Sequence, residues 1–265
     1  MKCHFAGTIG FLGLCVFATL LVRGESRAET GLTGSTALLY VPVADVVPNE
    51  RFSFGGLIAD YQAFPSKQFS YFRANKPSAY FSGYATIGYI PRLEITVRGS
   101  GMPSAMGPAG TGPFYTDGMI SMQALLLRGR GRVPSVGAGF QDMYGFMIFN
   151  ALYGVVTWSV PAEHGNAVIT GGWAVDWYDR NRGTADVNYI VPHVINGFFA
   201  GGAYPIRKWV DGIAEYDSRS LNVGMRFHPV SWCTLDLAAV RWGLDRMARG
   251  QVAGFTAHLC FSGHL

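Results

Sequence analysis

Catalysis would need a nucleophile, a base and an orienting acid brought within reach, and the sequence supplies those residue types without the spacings that usually join them. It contains no Gly-x-Ser-x-Gly elbow, no His-Glu-x-x-His pair, no Cys-x-x-Cys and no phosphate-loop lysine, so neither enzyme chemistry nor a cofactor or metal is expected. Its six histidines are scattered, and His164, His193, His228 and His264 fall in or beside expected turns, where solvated or lumen positions suit them better than ligation. His258 with a nearby serine is the one arrangement that hydrolase chemistry could use, and no spacing supports it. Gly107–Gly112, GPAGTG, lacks a following helix and reads as a loop instead of a phosphate cradle.

Charged and amide side chains interleaved with apolar residues carry a clearer pattern. Glu94, Arg98, Gln123, Asp176, Glu215, Asp217, Arg226 and Asp236 recur opposite apolar faces. Between Ser220 and His228, Leu221, Val223, Met225 and Phe227 alternate with Asn222, Gly224 and Arg226. Strict alternation of this kind is the signature of a two-faced strand. Alternation is as clear at 93–98, 233–239 and 253–261, and strand candidates follow at about 51–61, 80–89, 93–100, 117–127, 133–140, 147–158, 167–177, 194–204, 209–216, 220–227, 233–241 and 252–261, most being near the ten residues a tilted strand needs to cross a bilayer.

Composition and loop lengths choose among all-β architectures. Of 265 residues 35 are Gly and only 14 % are charged, against roughly a quarter in an average soluble domain. A soluble periplasmic β-sandwich also alternates, but its outer faces should be charged. The connections at 89–92, 128–132, 205–208 and 229–232 are short, whereas 62–79, 101–116, 178–193 and 243–251 are long, and all the long ones fall on one side. This asymmetry predicts an antiparallel up-and-down transmembrane β-barrel of about twelve strands in a Gram-negative outer membrane. Its apolar face meets lipid, and the charged residues listed above line a wet lumen, either bracing the barrel as ion pairs or lining a polymer path. Tyr61, Tyr80, Tyr89, Trp158, Trp177, Trp209 and Trp242, at strand ends, suit interfacial girdles.

The first 28 residues carry Lys2, an uncharged run from Phe5 to Val22 and a small-residue site at Ser26-Arg-Ala28, which predicts a cleaved secretory signal in preference to a membrane anchor. Its departure takes three basic residues and one acidic residue, lowering the net charge from +4 to +2. A near-neutral chain is a poor partner for nucleic acid. Residues 29–50 are expected as a non-spanning segment in the lumen or at the periplasmic mouth, since a full strand at 32–40 would make thirteen; 51–265 form the barrel. Cys233 and Cys260 remain after cleavage, on neighbouring strands, but Cys233 shares a face with Leu235 and Leu237 while Cys260 shares one with Thr256 and His258, which disfavours a disulfide.

Gly31-Leu-Thr-Gly34 with Pro42-Val-Ala44, Pro134–Asp142 leading to Gly145 and Tyr153, and Gly197–Gly202 leading to Glu215-Tyr-Asp217 together resemble the YjbH-like family of exopolysaccharide-associated outer-membrane proteins. The resemblance implies a barrel taking part in exopolysaccharide secretion, as conduit or scaffold, with outer-membrane lipid, polysaccharide and periplasmic or outer-membrane export proteins as partners. It adds Asp142 to the candidates, and brings no catalytic residue. An outer-membrane enzyme acting on lipid or polymer is the alternative from another class. The ending Phe261–Leu265 sets the last aromatic residue four positions in from the end of the sequence.

Overall fold

A computed structural model describes residues 29–60, 79–103, 114–130, 133–144, 150–176, 195–242 and 254–265. The expected signal, Tyr61, Trp177, His193, and most of each long loop lie outside them. Twelve strands run in chain order: β1 (Arg51–Asp60), β2 (Ala79–Ile90), β3 (Leu93–Pro103), β4 (Phe114–Leu127), β5 (Ser135–Gln141), β6 (Ala151–Ala162), β7 (Gly165–Val175), β8 (Gly197–Arg207), β9 (Val210–Tyr216), β10 (Leu221–Val230), β11 (Cys233–Trp242) and β12 (Gly254–His264). Each pairs antiparallel with its sequence neighbours, and β1 closes on β12 from Arg51↔His264 to Ala59↔Thr256. The closed antiparallel barrel expected from the alternation is the fold, and closure leaves no strand edge unpaired.

The wall sorts its residues by face. Along β2, Phe81, Ala85 and Ile87 are exposed, whereas Ser82, Tyr84 and Thr86 are buried. Along β10, Leu221 and Met225 are exposed, Asn222 and Arg226 buried. Apolar side chains thus cover the outside, among them Val97, Ile169, Phe198 and Phe255, each more than half exposed. An apolar surface this continuous fits an outer-membrane protein and is foreign to a water-soluble one. Tyr89, Tyr204 and Trp209 are exposed near the short-turn end, where a girdle is expected.

Two prolines shift the expected boundaries. Pro205 and Pro229, read from sequence as turn residues, sit inside β8 and β10, where the ladders slip between Pro205 and Arg207 and between Phe227 and Val230. Lacking an N–H, proline is accommodated in a strand at such a bulge. The turns themselves are Lys208-Trp209 and Ser231-Trp232. β5 begins only at Ser135, after Pro134. β12 runs on to His264, with Phe261 stacked between Phe54 and Trp232, their ring centroids 5.3 and 6.0 Å away.

Residues 29–48 enter the barrel and fill it. Leu32, Leu38, Leu39, Val41, Ala44 and Val47 are buried against the inner wall beside Tyr153, Phe199 and Ile213. The segment folds through two tight reversals, closed by the bridges Thr30↔Thr36 and Ala37↔Pro42. Gly34 adopts a φ of +90°, and a β-carbon there would lie 2.6 Å from the Tyr84 ring, so only glycine serves. Where the segment leaves, Gly88 of β2 passes so close to it that a β-carbon would meet the Val47 carbonyl at 2.1 Å.

Candidate functional site

Folding an irregular segment inside a barrel leaves its backbone N–H and C=O groups away from water, and each needs a partner from the wall. The inward-facing side chains provide them. Glu215 accepts from the amides of Leu39, Tyr40 and Val41 at 2.9, 2.8 and 3.1 Å, and from Asn222 Nδ2 at 2.9 Å. Glu94 accepts from the Thr36 amide and hydroxyl and, at 2.8 Å, from the Val47 amide. Beside Glu94 on the neighbouring strand β4, Gln123 Nε2 donates to the carbonyls of Val43 and Asp45, and the Tyr153 hydroxyl orients it by donating to Oε1 at 2.7 Å. Thr157 accepts from the Ala44 amide, and Thr170 donates to the Pro42 carbonyl.

The most connected group is Arg226. Its Nε and Nη2 form a two-pronged pair with Asp236 at 2.7 and 2.9 Å, Nη1 reaches Glu29 at 2.9 Å, and Nη2 also donates to the Leu38 carbonyl at 2.7 Å. Planar guanidinium geometry allows all four at once. Asp236 Oδ2 also takes His258 Nδ1 at 2.9 Å. An ionised carboxylate only accepts, so His258 donates at Nδ1; a neutral imidazole then accepts at Nε2 from the Tyr84 hydroxyl, 2.7 Å away. Tyr84 in turn meets Thr30 Oγ1 at 2.7 Å, and Thr30 lies 3.0 Å from Cys260 Sγ. This Asp–His–Tyr–Thr relay is ordered like a catalytic array. Every member is sealed between wall and segment, with exposures of 0 % to 6 %, so in this arrangement it holds Thr30 in place.

The other sequence candidates make hydrogen bonds within the wall and its connections. Arg98 bonds Ser82 across β2 and β3. Asp217 organises the β9–β10 connection, its Oδ1 accepting from the amides of Arg219 and Ser220 and its Oδ2 from Asn222. Asp142 follows β5 with a φ of +55° and its amide donates to Ser121 Oγ. Asp176 is half-buried at the long-loop end, where Asn196 donates to it. His228 is no turn residue: the β10 bulge carries the strand past it, and it is buried 2.8 Å from Asp211 of β9. Cys233 lies opposite Phe261 and Cys260 opposite Thr234, so the two cysteines point to different faces and no disulfide links them. At the segment's exit, what burial Asp45 has pushes its carboxyl above the ordinary value, and the Arg128 charge pulls it back.

Sequence reasoning missed Glu29, Thr30, Tyr84, Asp211 and Thr157. The inward phase of β2 and β6 was the signal for Tyr84 and Thr157; nothing local marks Glu29 or Thr30. Fold and site together define a closed barrel whose lumen is occupied by its own N-terminal segment. No family model matches the chain, and no curated protein matches it.

Proposed function

We propose that this protein is an outer-membrane barrel that serves exopolysaccharide secretion as a sealed scaffold instead of an open conduit. The observation that carries the reading is the filled lumen: Glu94, Gln123, Glu215 and Arg226 each make hydrogen bonds to residues 29–48. Side chains alone can fill a barrel of about eight strands; a twelve-stranded wall is wider, and here a chain segment occupies the difference. The continuous apolar outside supports placement in lipid. The link to exopolysaccharide rests on the resemblance to the YjbH-like family, and the fragments that carry it converge on one contact. Gly31 and Gly34 shape the segment's first reversal, Gly137 faces Ala44, Gly201 faces Leu38, and Glu215 holds Leu39–Val41.

A lock separates scaffold from conduit. An ideal β-carbon at Gly137 would lie 3.1 Å from the Ala44 α-carbon, so cysteines at 44 and 137 are immediate neighbours and the segment has to yield by a few tenths of an ångström to admit a bridge. In polymer-producing cells lacking the native gene, the A44C/G137C variant should restore secretion equally under oxidising and reducing conditions. Secretion that stops when the bridge forms and returns on reduction would show that polymer passes through the lumen. Recovery from membranes only in detergent, with heat-modifiable migration on gels, checks the placement in lipid; extraction in plain buffer contradicts it.

A further inference from the structure

At the short-turn end of the lumen, a second cluster of ionisable groups remains after the Arg226–Asp236 pair is accounted for. Glu29 at the start of the segment, Asp211 of β9 and His228 of β10 bring one donor atom each to within 4.8 Å of one another. His228 Nε2 lies 2.8 Å from Asp211 Oδ2 and 3.6 Å from Glu29 Oε1. Tetrahedral zinc, with bonds of about 2.0–2.2 Å, sets its donors roughly 3.3–3.5 Å apart, so the two distances from His228 need change by less than about 1 Å, and Glu29 and Asp211 must close to that spacing from within 4.8 Å. Glu29 is also oriented from behind. Arg226 Nη1 holds its Oε2 at 2.9 Å, which turns Oε1 toward the other two, as outer partners do at metal sites.

Charge makes the same case independently. Asp236 takes two of Arg226's nitrogens and Glu29 the third, and Asp211 has His228 Nε2 at 2.8 Å. Among the described residues Arg226 is the one fixed cation set against the carboxylates of Asp236, Glu29 and Asp211, so with neutral imidazoles the cluster is net negative, and the α-ammonium that cleavage after Ala28 would leave on Glu29 offsets only part of that. Excess negative charge at a partly buried site is costly unless a cation joins it. A dication bound to Glu29, Asp211 and His228 Nε2 offsets that excess and leaves a fourth position for water. One imidazole with two carboxylates suits a transition metal of the zinc class better than Mg²⁺ or Ca²⁺, which take oxygen alone.

We infer that Glu29, Asp211 and His228 form a binding site for a zinc-class divalent cation that clamps the start of the lumen segment to β9 and β10. The inference does not depend on what the barrel helps to secrete. The site joins three elements that meet only in the folded barrel, so metal bound there stabilises the filled state by mass action.

The test is a Zn²⁺ titration of the folded, detergent-purified protein against a chromophoric chelator, with folding checked by heat-modifiable migration. One Zn²⁺ per chain should bind, and H228Q, D211N and E29Q should each weaken it at least about tenfold. Absence of binding, or H228Q binding as tightly as the parent, overturns the site. E29Q binding unchanged while H228Q loses the metal overturns the clamp. Equal displacement by millimolar Mg²⁺ overturns the metal class. Zinc-edge X-ray absorption of the unaltered protein needs no variant to fold: a shell of oxygen with one imidazole supports the assignment, and a sulfur ligand refutes it.

Discussion

Glu215→Gln tests how the lumen segment is held, because it removes a charge and almost no volume. The carboxylate takes four donors: Oε2 receives the amides of Leu39 and Val41, and Oε1 receives Tyr40 and Asn222. A glutamine keeps one oxygen. Whichever way its amide is turned, an NH₂ group then faces two donors that are buried with it, so two hydrogen bonds are lost. At about 1–3 kcal/mol for each buried donor left unsatisfied, the segment should loosen by roughly 2–6 kcal/mol. The appropriate assay is amide hydrogen exchange at residues 38–41 in the folded barrel, because exchange reads local opening where global unfolding does not. Protection there should fall by about 30-fold to 10⁴-fold, at 1.4 kcal/mol per factor of ten. The β-strand amides and heat-modifiable migration should be unchanged. Exchange at 38–41 equal to the parent's, in an intact barrel, would refute the view that Glu215 anchors the segment.

Asp236→Asn leaves the Arg226 charge with Glu29 alone and should lower barrel stability by about 3–5 kcal/mol in urea unfolding; the R226M/D236L pair should recover much of that, and an unshifted midpoint for D236N would remove the pair from any structural role. Gly88→Val places a side chain where Val47 passes, so it should expel the segment's exit and expose Val46–Val47 to protease in a barrel that still closes; continued resistance would contradict the close approach. Val97→Arg, near the middle of β3 on its exposed face, should cost roughly 2–4 kcal/mol in vesicles, because an arginine there meets hydrocarbon. A neutral effect would mean that this face meets water. Deleting residues 31–47 should give single-channel conductance in planar bilayers where the intact protein gives little; equal conductance would show that the segment does not close the lumen.

The wall of this protein was written locally. Alternation with a period of two assigns a face to every strand residue, and that phase alone places Glu94, Gln123, Arg226 and Asp236 inside and Val97 and Met225 outside, because a pleated strand has no other choice. Loop lengths then told the short-turn end from the long-loop end. Strand boundaries were less legible where proline intervened, since Pro205 and Pro229 look like turns in sequence and prove to be bulges once a neighbouring strand is there to slip against.

What only the tertiary structure decided is what those inward groups do. Alternation showed that Glu215 and Glu94 point inward, yet could not say that their partners would be backbone amides of residues 36–47, far away in sequence and without any periodicity of their own. Pairings such as Arg226–Glu29 and Tyr84–Thr30 depend on how a segment with no repeat folds within a closed wall, a long-range steric and hydrogen-bonding problem. The same holds for His228. Its residue type offered a ligand, and only barrel closure around the segment brought Glu29 and Asp211 to it.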